Sequence, residues 1–145
     1  MTLTYPLNSA LIAAMLDASK RCAHPIEEEG GIILNKDEEY IFVKVKNIYE
    51  GTDVAAGLYE TDQSELSSLV LTKVGEGWKF YASFHTHPQF SPAPSSLDLG
   101  KLFQGFKYNV IYSPIMEMFS CSLWFGDQSV HSYIPKKTLE ILLAQ

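Results

Sequence analysis

With 145 residues, 46% of them hydrophobic and 19% charged, the chain holds enough apolar material for one packed domain and is not polar enough for a disordered one. Seventeen acidic against eleven basic side chains give a net charge of -6, which argues against nucleic acid as a partner, because phosphate binding needs a basic surface. The sequence contains no apolar run of about 18 residues, so no membrane span is expected. Cys22 and Cys121 lie far apart with no Cys-x-x-Cys, which argues against a thiolate metal site. Two buried thiols in a reducing compartment are the expectation, with a bridge between them left open. No basic segment followed by an apolar stretch is visible at the start, so the expected location is cytoplasmic, export by a signal-less route aside.

In chain order, Leu11, Ile12, Met15, Leu16 and Cys22 share one helical face, with Asn8 or Ser9 as cap and Lys20-Arg21 suiting the C-terminal dipole. His24-Pro25 breaks that helix, and His24 reads as a loop residue. The acids Glu27-Glu28-Glu29 lead through Gly30-Gly31 into an apolar strand, Ile32–Leu34. Residues 35–39 read as a hairpin turn, and Tyr40–Tyr49 as a second strand. Its later half alternates Val43 and Val45 with Lys44 and Lys46, which predicts one wet face. Residues 50–59 form a connection. A helix from Thr61 or Asp62 to about Val74 should bury Leu66, Leu69, Val70 and Val74, and Gly75-Glu76-Gly77 should stop it. Trp78–His87 is the next strand. Ser95-Ser96-Leu97-Asp98 opens a short helix that ends near Gly105, and Tyr108–Tyr112 and Ser120–Phe125 are strands. After a turn at 126–128, residues 129–134 pair back, His131 being exposed or structural, and Pro135 starts a last helix. With no repeat, linker or low-complexity tract, residues 1–145 form a single domain. Its class is α/β, a mixed β-sheet flanked by helices.

The chemistry concentrates in residues 85–98. On a strand, residues two apart share a face, so His85 and His87 aim at one point, and Pro88 ends the ladder. Asp98, in the first turn of the following helix, supplies a carboxylate. Two imidazoles and a carboxylate leave a fourth position for water, the arrangement of catalytic rather than structural zinc. Each residue alone has an ordinary reading: an unliganded His pair, a Ser95 N-cap, an Asp98 favoured by the helix dipole. The joint spacing outweighs those readings.

His85-x-His87-x7-Ser95-x2-Asp98 resembles the signature of the JAMM (JAB, MPN-plus) metalloprotease family, including Thr86 between the histidines and Pro88 after them. That family also carries a Glu shortly before a Gly that opens an apolar strand, often as Glu-x-Cys-Gly. Here Glu28-Glu29-Gly30-Gly31 fits if Gly30 stands in place of Cys, which favours Glu28, with Glu27 second. The resemblance implies the JAB/MPN (cytidine deaminase-like) fold. It also implies Zn²⁺ on His85, His87 and Asp98, Glu28 as general acid/base and Ser95 as a donor to the oxyanion rather than a nucleophile.

The implied reaction is hydrolysis of an amide, peptide or isopeptide bond in a protein or peptide substrate, ubiquitin-like conjugates among the candidates. A toxin-type effector peptidase belongs to the same class. The alternative is a non-catalytic scaffold or binding subunit of the same fold, against which the intact motif argues. A zinc deaminase is disfavoured because His-x-Glu and Pro-Cys-x-x-Cys are absent.

Overall fold

A computed structural model describes residues 8–45, 63–94, 108–125 and 128–145. The order is α1 (Ser9–Arg21), β1 (Gly30–Lys36), β2 (Glu39–Val45), α2 (Gln63–Gly75), β3 (Lys79–Thr86), β4 (Tyr108–Ser113), β5 (Met118–Phe125), β6 (Gln128–Pro135) and α3 (Lys136–Ala144). The expected Lys46–Tyr49 end of the second strand, the 50–59 connection, the helix caps at Thr61 and Asp62, the 95–105 helix and the turn residues 126–127 lie outside the described residues. So do the side chains of Leu66, Leu69 and Val70.

The six strands form one mixed sheet in the order β2-β1-β3-β4-β5-β6. Every neighbouring pair is antiparallel except β3 and β4, which run parallel with His85 opposite Ile111. A parallel pair cannot be joined by a tight turn and needs a long crossover. The β1–β2 hairpin closes through Asp37 and Glu38, with Asp37 at φ 54 and the Asn35 side-chain amide donating to the carbonyls of Asp37 and Glu39. Asp tolerates this left-handed conformation better than most residues.

Alternation sorts the side chains onto two faces. One face packs Ile33, Phe42, Ala82, Phe84, Val110, Tyr112, Phe119, Cys121 and Ile134 against Leu11, Ile12, Met15 and Ala18 of α1 and Leu139 of α3. Asn8 starts α1, its side-chain oxygen accepting from the Leu11 N–H at 2.8 Å. Phe84 stands edge-on to Phe42 at the centre, with 5.4 Å between ring centroids. Leu16, expected on the buried face, is only partly covered. Both cysteines are buried and free.

The other face carries a small apolar cluster of Ile32, Leu34 and Val45 beside Trp78. Next to it lie buried polar side chains: Ser83, His85, Asn109, Ser113, Ser120 and Ser122. Lys44 takes the α1 side with Phe42 and keeps 38% of its side chain exposed, as the expected wet face requires, while its ammonium donates to the Arg21 carbonyl at 3.1 Å. One expectation is corrected: Val74 is more than half exposed, because it sits one residue from the end of α2.

Candidate metal centre

β3 delivers the histidines. His85 lies in the strand and His87 just beyond it, where the His87 N–H still donates to the Tyr112 carbonyl of β4 at 2.9 Å. That bond keeps the strand geometry two residues past His85, so both rings emerge on the polar face, buried, with their Nε2 atoms 3.3 Å apart.

His87 Nδ1 lies 2.9 Å from the Ser91 carbonyl oxygen. A carbonyl only accepts, so this nitrogen carries the proton and Nε2 presents a lone pair. A donor locked this way is the usual support of a metal-ligating histidine. The loop that supplies the carbonyl is pinned to the sheet. Ser113 Oγ donates to the Phe90 carbonyl at 2.5 Å, and Ser120 Oγ to the Pro92 carbonyl at 2.6 Å.

The three neighbouring acids meet three different fates. Glu27 points outward, with 57% of its side chain exposed, 3.9 Å from the ring of His24. Glu28 turns inward and is 2% exposed. Its Oε1 stands 4.0 Å from His85 Nε2 and its Oε2 3.8 Å from His87 Nε2. Glu29 goes to the opposite side, 2.6 Å from the Lys44 ammonium, with the His24 N–H donating to its other oxygen at 2.8 Å. Burial pushes the Glu29 carboxyl up, but the Lys44 and His24 donors outweigh it and hold it below its ordinary value. Glu28 is therefore the acid brought to the two histidines; Glu27 is not.

Glu28, His85 and His87 present one ligand atom each within 4.8 Å of one another. Their separations fit a divalent ion unequally. Two nitrogens, each about 2.05 Å from one tetrahedral ion, stand roughly 3.3 Å apart. The imidazole pair has that spacing. The Glu28 oxygens lie farther from both nitrogens than a co-ligand of the same ion would. The donor set thus suits two nitrogen ligands with a carboxylate beside them. Ser95 and Asp98, the other two motif positions, lie outside the described residues.

A family model for prokaryotic homologs of the JAB domain matches residues 9–126. The chain belongs to this family. The matched span contains Glu28, both histidines and the whole His85–Asp98 motif. Among solved structures, the JAB-family chain is similar to a protein from Desulfitobacterium hafniense, with a TM-score of 0.59 and 21% identity over 83% of this chain and 84% of that one. It is also similar to a protein from Salinibacter ruber, with a TM-score of 0.52 and 20% identity over 90% and 89% of the two chains. A JAB1/MPN domain protein from Archaeoglobus fulgidus overlaps at a TM-score of 0.44, with 22% identity over 79% and 82%. The first two likenesses are likenesses of fold. No curated protein matches the chain.

Sequence reasoning did not find the Ser91 carbonyl, the Ser113 and Ser120 hydroxyls, or the Glu29–Lys44 pair. A weak signal existed for the hydroxyls, since Ser120 and Ser122 alternate along an otherwise apolar strand. Nor did it pair His131, whose Nδ1 lies 2.6 Å from Ser122 Oγ. Burial pulls the His131 pKa down, which suits the structural role read for it.

Proposed function

We propose that this JAB-family protein is a zinc-dependent hydrolase of amide, peptide or isopeptide bonds, with His85, His87 and Asp98 holding the metal. The observation that carries the reading is the pair of buried Nε2 atoms at ligand spacing, one fixed in the correct tautomer, with the buried Glu28 carboxylate facing both. A bound divalent ion supplies Lewis acidity, which polarises a carbonyl and makes a water acidic near neutral pH.

The chain's own residues do the rest. Glu28 takes a proton from the attacking water and delivers it to the departing amine, so that one carboxylate serves as base and then acid. Its carboxylate lies out of bulk solvent, beside both imidazoles. Ser95 donates its hydroxyl to the oxyanion that forms as the carbonyl carbon becomes tetrahedral. The leaving side is a peptide or a lysine side chain of a protein, ubiquitin-like conjugates being one class to test.

The test is turnover of a panel of peptide, small amide and ubiquitin-like isopeptide substrates by the zinc-loaded protein, beside Glu28→Gln. Zinc-dependent cleavage that vanishes in Glu28→Gln supports the hydrolase. Stoichiometric zinc with no cleavage across the panel moves the reading to a non-catalytic subunit of a complex.

A further inference from the structure

Glu28 sits where a loop meets a sheet. The chain arrives from the bends at 25–27 and enters β1 only at Gly30, so no strand ladder holds residues 24–28. Glu29 is fixed on every side. Its N–H donates to Thr86 Oγ1 at 3.1 Å, and its carbonyl accepts from the Thr86 N–H at 2.9 Å. Thr86 is the residue between the two histidines. The Glu29 side chain reaches the other face of the sheet and closes a second set of contacts, with the Lys44 ammonium and the His24 N–H. Lys44 in turn donates to the Arg21 carbonyl at the last turn of α1. A carboxylate and an ammonium thereby tie the start of the loop, the edge strand β2 and the end of α1 to the backbone beside Glu28.

We propose that Glu29 and Lys44 are positioning residues: their ion pair, together with the Thr86 backbone pairing, holds the Glu28 carboxylate in register with His85 and His87. Adjacent residues in an extended chain project to opposite faces, so anchoring Glu29 on the α1 side orients Glu28 toward the imidazoles. The pair is partly exposed and contributes little stability as an ion pair. Its value is geometric, since a displacement of about 1 Å at a reacting group costs on the order of 100-fold in rate. Lysine suits the role because its ammonium carries three donors on a compact centre and here serves two acceptors.

The inference rests on the proposed role of Glu28, and its test separates the two. Glu29→Gln, Lys44→Met, the double variant and Lys44→Arg are compared with wild type as zinc-loaded full chains. Five quantities are read: kcat and KM on the best substrate of the panel, zinc affinity by chelator competition, the melting temperature, and the carboxyl ¹³C resonance of Glu28, assigned by its absence in Glu28→Gln. The expected result is a fall in kcat of about 10- to 100-fold in each single variant, with KM and zinc affinity within about threefold. The double variant is no worse than the worse single one, because both remove the same contact. Lys44→Arg recovers most of kcat, and the Glu28 resonance shifts or splits in Glu29→Gln. Wild-type kcat in Glu29→Gln overturns the proposal. So does parallel loss of zinc affinity and melting temperature without rescue by Lys44→Arg, or an unmoved Glu28 resonance. If the wild type binds zinc and cleaves nothing, the hydrolase reading fails by itself and the resonance alone decides the positioning role.

Discussion

Replacing Gly30 with alanine creates a conflict where the strand that follows Glu28 meets the strand that carries the histidines. Gly30 is paired with His85. A Cβ on Gly30 would stand 2.2 Å from the Phe84 carbonyl oxygen and 2.9 Å from both Cα and Cβ of His85. The nearest of these is a backbone atom of β3, a strand flanked by β1 and β4, so no side-chain rotation relieves it. Ordinary contact begins at 3.4 Å, so β1 and β3 must part by about 1 Å. Overpacking of this kind costs about 1–3 kcal/mol. For a domain of this size that lowers the melting temperature by roughly 2–12 °C. The same displacement moves Glu28 relative to His85 and lowers any turnover on the order of 100-fold. Gly75 is the control: a Cβ there meets nothing within 4 Å, so Gly75→Ala should melt at or above wild type. Thermal unfolding followed by circular dichroism, with zinc affinity by chelator competition, reads both effects. If Gly30→Ala melts with wild type and binds zinc equally well, the close approach of the two strands is wrong.

Glu28→Gln should keep its zinc and lose about 10²- to 10⁴-fold in turnover, while Glu27→Gln stays within about twofold of wild type; metal analysis and kinetics check both. Phe84→Ala should cost about 3–5 kcal/mol in urea unfolding, because its ring is fully enclosed between Phe42, α1 and the neighbouring strands. Burial pushes the thiols of Cys22 and Cys121 up to about 12, so neither should react with iodoacetamide at pH 8 until urea unfolds the chain, as mass spectrometry would show. The Glu29 carboxyl, held below its ordinary 4.5 in the folded state, binds fewer protons there than in the unfolded chain. Its contribution to stability is complete above that value and is lost as pH falls through the lower folded one. Acid unfolding curves should therefore show a smaller loss below pH 4.5 in Lys44→Met than in wild type.

Period-two reasoning was enough to put His85 and His87 on one face, because a strand ending in His-x-His has no other way to point them. Helical and strand periodicities together, with caps and turn residues, found the helices and strands of the described residues. The choice between Glu27 and Glu28 was only favoured by motif counting, since three identical acids carry no local distinction. The pairing of Gly30 with His85 sets which of them shares the histidines' face, and that residue is Glu28. Alternation puts Lys44 on a wet face, but it does not tell what lies beside that face. The end of α1 lies there, and a long side chain can lay its stem over apolar surface and bring its charge to the helix's last carbonyls. Val74 falls on the expected buried stripe, yet it stands at a helix end and stays more than half exposed among the described residues. The parallel neighbours β3 and β4 were not legible at all, because sheet order depends on a long crossover and not on either strand's residues.

The zinc content of the purified protein, wild type beside His87→Ala and Asp98→Ala, bears most directly on the proposed metal centre. Wild type should carry about one zinc per chain, and both variants should lose it while their circular dichroism spectra remain those of the folded chain. A wild-type protein that carries no zinc and takes up none when it is added would contradict that centre, leaving His85 and His87 as a hydrogen-bonded pair and the domain as a scaffold.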